Sequence, residues 1–198
     1  MQRPDEGAPP ARRALMRIVG GRWRGHRLKT PGDERVRPTT DRVRESLFNI
    51  LMHRDPPVLP GAVVLDLFAG TGALGLEALS RGAARAVFVD SDARSLALVR
   101  ENVAALKAEA LCRMVRADAT RLPPTALAAT LVFLDAPYGR SLVAPALASA
   151  AAGGWLAPGA VAVVETPADE EVALPEGFAA PDERVYGGTK LLCTVYGP

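Results

Sequence analysis

Ala62-Val63-Val64-Leu65-Asp66-Leu67-Phe68-Ala69-Gly70-Thr71-Gly72-Ala73-Leu74-Gly75 is the stretch that decides the architecture. Its first four residues are a continuous apolar run, as expected for a strand buried on both faces of a parallel sheet. Gly70, Gly72 and Gly75 then allow a sharp turn and a close approach of backbone to ligand at a helix N-terminus. The spacing matches G-x-G-x-x-G, which alone suggests a dinucleotide and carries little weight, because glycines gather at strand-to-helix turns for geometric reasons.

Downstream of that turn the same alternation repeats. Residues 86–89, 131–134 and 161–164 are apolar strand signals, and 113–117 is a weaker one. Between them run helical stretches at 73–80, 94–106 and 142–152, with Leu96, Val99, Val103 and Leu106 on one side of the second. Residues 183–186 and 191–196 close the chain as a strand pair. Strands alternating with helices predict a doubly wound α/β fold, Rossmann-like, with a mostly parallel seven-stranded sheet flanked by helices.

Upstream, residues 16–28 read as a small β-hairpin turning at Gly20-Gly21, and 30–38 as a loop. A helix is expected from Thr40 or Asp41, with Val43, Leu47, Ile50 and Leu51 on one face and Arg42 and Arg44 off that stripe. Asp55-Pro56-Pro57 ends it. Residues 1–15 hold one glycine, three prolines and scattered charge without apolar periodicity, and are expected to be a disordered leader. The organisation is thus a leader (1–15), a basic hairpin and helix (16–54) and an α/β domain (55–198).

Charge is unevenly spread along the 198 residues. The net charge is only +2, yet residues 1–54 carry 13 Lys or Arg against 6 Asp or Glu, and the rest carry 11 against 16. A basic first quarter suits a polyanionic partner, since phosphate contacts supply most sequence-independent affinity for nucleic acid. The same composition also suits a solvated arginine-rich surface, as Arg outnumbers Lys 21 to 3. Cys112, Cys193, His26 and His53 lack metal-ligand spacing, so no metal is expected and a reducing cytoplasmic setting is the default. No apolar run is long enough to span a bilayer, and no secretory h-region follows the N-terminal arginines.

Acids end successive strands. Asp66, four residues before the first glycine, would repel a pyrophosphate but could pair with the ammonium of a methionine moiety; its structural alternative is ordering the loop. Asp90 could accept both ribose hydroxyls, a feature that nicotinamide sites share. Asp118, in Ala117-Asp118-Ala119, could accept the adenine amino group or simply cap the next segment. Ligands of open α/β sheets bind along this edge. S-Adenosylmethionine is therefore the expected cofactor.

Asp135-Ala136-Pro137-Tyr138 follows the fourth strand. An aromatic exocyclic amine is a poor nucleophile because its lone pair is delocalised into the ring. A carboxylate and a backbone carbonyl that accept its N–H groups orient it and stabilise developing positive charge. Here Asp135 supplies the carboxylate, Ala136 the carbonyl and Tyr138 a ring to stack on the base, while Pro137 biases Ala136 towards an extended conformation. The plain alternative is an ordinary turn bearing a surface tyrosine.

With both sites quoted, the chain resembles the RsmD family, bacterial methyltransferases that modify a guanine N2 in 16S ribosomal RNA. The resemblance runs from Met16 to Tyr196. It rests on Arg17-Ile18-Val19-Gly20-Gly21-Arg22-Trp23-Arg24-Gly25, on Arg37-Pro38-Thr39-Thr40-Asp41-Arg42-Val43-Arg44-Glu45, and on the glycine turn through Ala78. It implies a class I S-adenosylmethionine-dependent fold and a cofactor site of Asp66, Phe68, Gly70, Thr71, Gly72, Asp90, Asp118 and Ala119. It further implies a guanine held by Asp135, Ala136, Pro137 and Tyr138, and RNA gripped by Arg17, Arg22, Trp23, Arg24, Arg27, Arg37 and Arg42. The implied partner is 16S ribosomal RNA or a small-subunit assembly particle, the implied location the cytoplasm, and a monomer is expected. The family has Asp-Pro-Pro-Tyr or Asp-Pro-Pro-Phe at the catalytic loop, so Ala136 departs from it, keeping the carbonyl and losing rigidity. Asp90 stands where many relatives have Glu. Adenine N6 in DNA or RNA, a nicotinamide-dependent oxidoreductase on the glycine turn, and a non-catalytic RNA-binding module are the remaining alternatives.

Overall fold

The structure, a computed structural model, describes residues 16–31 and 41–197. The expected leader, Arg37 and the residues just before Asp41 lie outside the described residues. One sheet holds seven strands: β1 (Val63–Leu67), β2 (Arg85–Asp90), β3 (Cys112–Arg116), β4 (Ala129–Asp135), β5 (Leu156–Pro167), β6 (Asp182–Tyr186) and β7 (Thr189–Val195). Their order is β3-β2-β1-β4-β5-β7-β6. The first five are parallel, and β7 runs antiparallel to both β5 and β6. The helices are α1 (Asp41–Met52), α2 (Ala73–Ser80), α3 (Ala93–Ala105) and α4 (Val143–Ala152).

Apolar strand residues divide by the two-residue period of a strand. Val64, Phe88, Leu131, Phe133 and Val163 face a cluster built with α1, α2 and α3. Leu65, Leu67, Val132, Leu134 and Val164 face a second cluster built with α4 and Trp155. A continuous apolar run is what such two-sided burial demands. The sheet and its helices follow the sequence expectation, with β5 longer at both ends, since it begins at Leu156 opposite Ala129. β5 continues beyond Val164 through Glu165 to Pro167, because β7 pairs along it from Val161 opposite Val195 to Pro167 opposite Thr189.

Two details upstream differ from expectation. The buried face of α1 is Val43, Arg44, Leu47, Phe48 and Leu51, while Ile50 is half-buried. Arg44, expected off the stripe, is 1% exposed. Its Nη2 donates to the Arg17 carbonyl at 2.8 Å and to Asp41 Oδ1 at 2.6 Å, so a carbonyl of the preceding segment and a carboxylate one turn back on α1 draw the guanidinium inside, while its Nε and Nη1 find no partner among the described residues. Phe48 packs tilted on Phe133 with ring centroids 5.6 Å apart.

The expected hairpin is instead a chain reversal with one isolated bridge, Arg17 opposite Arg27, around a 3-10 turn at Gly21–Trp23. Ile18 N–H donates to the His26 carbonyl at 2.9 Å and Leu28 N–H to the Met16 carbonyl at 2.9 Å. Gly25 N–H returns to the Ile18 carbonyl at 2.8 Å, and three further groups bond to α2 rather than to a partner strand. Val19 N–H donates to Glu77 Oε2 at 2.7 Å, Trp23 N–H to Ser80 Oγ at 3.0 Å, and Ser80 Oγ to the Gly20 carbonyl at 2.6 Å. Gly21 has φ +75°, and a Cβ there would fall onto the Ser80 carbonyl, so this docking requires glycine. Ile18 and Leu28 join the same buried cluster as α1, α2 and α3.

Candidate active site

The order of strands reverses between β1 and β4, which opens a crevice at their carboxyl ends. The two key loops therefore leave neighbouring strands, with Leu67 in register beside Leu134. Strand alternation then sets Asp66, Asp90, Asp135 and Glu165 on the same face as Val64, Phe88, Phe133 and Val163. Several carboxyl groups thus converge on the rim of one cleft.

Asp66 is 2% exposed, and its Oδ2 accepts from Gly75 N–H at 2.9 Å. Burial pushes its pKa up to about 8 against the lowering effect of that bond, with Asp135 and Asp90 adding to the rise. The loop-ordering role and the ligand role therefore coincide in one side chain. Asp90 Oδ2 accepts from Gly70 N–H at 3.0 Å and its Oδ1 from Asp92 N–H at 2.8 Å. Phe68, Gly70 and Gly72 all have left-handed backbones, with φ of +60°, +53° and +76°. Only Phe68 bears a steric cost for this, one that the bonded loop around it sustains. Thr71 is engaged from behind: its carbonyl accepts from Asn102 Nδ2 at 3.0 Å and its hydroxyl donates to Met16 Sδ at 3.3 Å.

Asp118 caps the short 3-10 segment Ala119–Arg121. Its Oδ1 accepts from Thr120 Oγ1 at 2.7 Å and from Thr120 N–H at 2.9 Å, and these bonds hold its pKa below the usual carboxylate value. Ala119 is buried. In the Asp135-Ala136-Pro137-Tyr138 loop, Ala136 is buried while Tyr138 is 51% exposed. Asp135 is accessible to solvent, yet its pKa is raised, first by desolvation and then by the charge of Glu165.

Glu165 is the residue that sequence reasoning missed. It lies in register beside Asp135 on β5 and is 5% exposed. The signal was present, because Glu165 directly follows the apolar run 161–164 just as Asp135 follows 131–134. Asn102 was missed as well. It is 1% exposed, accepts from Lys29 N–H at 2.7 Å and donates to the Lys29 carbonyl at 3.1 Å as well as to Thr71.

The described basic residues expected to grip RNA lie at the surface. Arg17, Arg22, Arg24, Arg27 and Arg42 are exposed. Arg17 Nε bonds Asp41 Oδ2 at 2.8 Å, and the Arg22 guanidinium lies 4.0 Å from the centroid of the half-buried Trp23 ring. Arg22, Trp23 and Arg24 sit at the turn that docks on Ser80, the last residue of the eight-residue α2. That end lies about 12 Å along the helix from the glycine turn. Arg37 lies outside the described residues.

The donor set favours one kind of ligand. The buried Asp66 carboxyl group, which an incoming ammonium would ionise, and the half-buried Asp90 beside left-handed glycines suit a ligand with an ammonium and a diol. Among the described residues, no group of three His, Cys, Asp or Glu is placed to hold a metal ion, and no helix is long and apolar enough to cross a membrane.

Comparison with known proteins agrees with this arrangement. Residues 16–195 match the model of the family described as Conserved hypothetical protein 95. "Ribosomal RNA small subunit methyltransferase D" of Escherichia coli K12 is 40% identical over 174 residues, 87% of this chain and 85% of that protein. The solved structure of yhhF from Escherichia coli superposes with a TM-score of 0.79 at 36% identity, covering 92% of this chain and 98% of that one. An RNA methyltransferase from Salinibacter ruber, solved in complex with S-adenosyl-L-homocysteine, shares the fold at 19% identity with a TM-score of 0.61, covering 81% of this chain and 94% of that one.

Proposed function

We propose, since the chain belongs to the Conserved hypothetical protein 95 family, the RsmD methyltransferases, that it methylates the exocyclic N2 of a guanine in 16S ribosomal RNA. The cofactor in this reading is S-adenosylmethionine, and the substrate is the RNA or a small-subunit particle in the cytoplasm, met by a monomer. When bound, the cofactor supplies an electrophilic methyl group. The observation that carries the reading is the adjacency of β1 and β4, which sets the Asp66 to Gly75 turn beside the Asp135 to Tyr138 loop.

Each residue then has a task. Asp66 receives the ligand's ammonium, Asp90 its ribose hydroxyls, and Phe68, Gly70, Thr71 and Gly72 shape the turn beneath it. Asp118 and Ala119 take the adenine end, using the Asp118 oxygen that Thr120 does not occupy. Asp135 and the Ala136 carbonyl accept the two N–H groups of the amine, which turns its lone pair towards the methyl. Pro137 stiffens that turn, and Tyr138 stacks on the base, a contact worth about 1–3 kcal/mol. Arg17, Arg22, Trp23, Arg24, Arg27, Arg37 and Arg42 hold phosphates from residues 16–54, which act as the RNA-binding part beside the 55–198 catalytic part. Placement and orientation supply much of the acceleration. The carboxylate at Asp66 disfavours a nicotinamide dinucleotide.

The test is methyl transfer from labelled cofactor to small-subunit particles from cells lacking the protein, with the modified nucleotide mapped by mass. Asp135→Ala is expected to lower kcat by about 10²-fold or more. Activity within a few-fold of wild type would remove Asp135 from this role.

A further inference from the structure

We propose that Glu165 is a positioning residue that acts through Asp135, the two carboxyl groups forming one unit that takes the proton the base amine sheds. This deepens the methyltransferase reading and rests on it. Three observations carry it. Asp135 and Glu165 are register partners on the parallel strands β4 and β5, which sets their backbones about 4.8 Å apart. Alternation along both strands sends the two side chains to the same face of the sheet, that of Phe133 and Val163. Asp135 is open to the cleft whereas Glu165 is buried behind it at 5% exposure. Only Asp135 can touch a substrate, so Glu165 works by what it does to Asp135.

Methylating an exocyclic amine leaves a surplus proton on nitrogen. In the proposed step the N–H bond breaks, its electron pair stays on nitrogen, and an O–H bond forms on Asp135; nothing is oxidised or reduced. A lone solvated aspartate is a weak acceptor for this purpose. A desolvated one beside a second carboxyl group is stronger, in line with the direction in which Asp135 is shifted. A charge on Glu165 raises the proton affinity of Asp135.

Among the described residues, titratable groups also stand on the strands and loop that flank the pair. Asp66 at the end of β1 is raised in part by Asp135 itself. Lys190 on β7 pairs with Thr166 and so stands on the opposite face of the sheet, where it gives its Nζ to the Glu170 carbonyl at 2.6 Å. Tyr138 and Arg140 stand in the loop after β4. Like-charged Asp66 acts in the same direction as Glu165, and it stays constant in the comparison below.

The experiment is a carboxyl-carbon NMR titration of Asp135 in the cofactor-free full chain, for wild type, Glu165→Gln and Glu165→Asp. It is paired with kcat and KM against pH on RNA. In Glu165→Gln, the upper part of the Asp135 titration is expected to vanish, its midpoint falling by about one pH unit. The acid limb of kcat is expected to follow it downwards, with kcat lowered at neutral pH and KM for RNA within about twofold of wild type. Glu165→Asp, which keeps the charge, is expected to restore the upper limb even if it folds less stably. An Asp135 titration unchanged by Glu165→Gln overturns the proposal, as does a uniform loss of kcat at every pH. Absence of any methyl transfer by wild type would instead sink the methyltransferase reading, and the NMR result would stand apart from it.

Discussion

Asn102 on α3 donates from Nδ2 to the Thr71 carbonyl at 3.0 Å, and with its other bonds it clasps Lys29. One buried amide therefore joins the glycine turn to the basic N-terminal segment, 73 residues away from Lys29 in sequence. The two regions share a support, although their residues are read separately along the chain.

Asn102→Ala is expected to leave those backbone groups without their partner, at a cost of about 1–3 kcal/mol. Urea unfolding should show the loss, and calorimetry should show weaker binding of S-adenosylhomocysteine in parallel. A variant that loses stability but keeps cofactor affinity would mean that the Thr71 bond does not shape the turn.

Gly75→Ala is expected to fail by overpacking. A Cβ at this position would overlap the Phe88 ring and stand 3.1 Å from Asp66 Oδ2, so both the core and the Gly75 N–H to Asp66 bond must shift. The cost is about 1–3 kcal/mol, read from denaturant midpoints, with cofactor binding lost beyond what the stability change explains. Unaltered stability would contradict this packing.

Asp66 makes the free protein less stable as pH rises. Its folded-state pKa is raised from the ordinary carboxylate value to about 8, so the folded state binds more protons than the unfolded one between those values. Stability is then highest below about pH 4 as far as this group is concerned, and falls as pH climbs towards 8. Urea unfolding at pH 5 and pH 8 is expected to show that decline in wild type and a smaller one in Asp66→Asn. The same substitution should abolish cofactor binding, because the ammonium loses its counter-charge. Equal slopes with pH in both proteins would contradict the buried ionisation.

Charge reversal of Arg22 and Arg24 is expected to weaken RNA binding and flatten its dependence on salt, with roughly one unit of slope lost per phosphate contact. Cofactor affinity should stay unchanged, since this turn sits at the far end of α2 from the glycines. A salt slope equal to that of wild type would take this turn out of the RNA interface.

What the sequence determined by itself was whatever local repetition encodes. Apolar runs buried on both faces marked the parallel strands, the glycines marked the turn after β1, and acids directly after those runs marked three of the four carboxyl groups on the rim. Glu165 obeyed the same rule, yet its role lay in a lateral neighbour, Asp135, 30 positions earlier in the chain. Only strand order and register bring those two side by side. The same holds for Arg44, which pattern placed on the outer surface of α1 and which the Arg17 carbonyl and Asp41 draw inside. The basic segment likewise gives the N–H groups of Val19 and Trp23 to Glu77 and Ser80. Periodicity reports which face of an element is apolar, whereas a partner such as the Arg17 carbonyl for Arg44 comes from another element. Its identity is settled only when the elements pack.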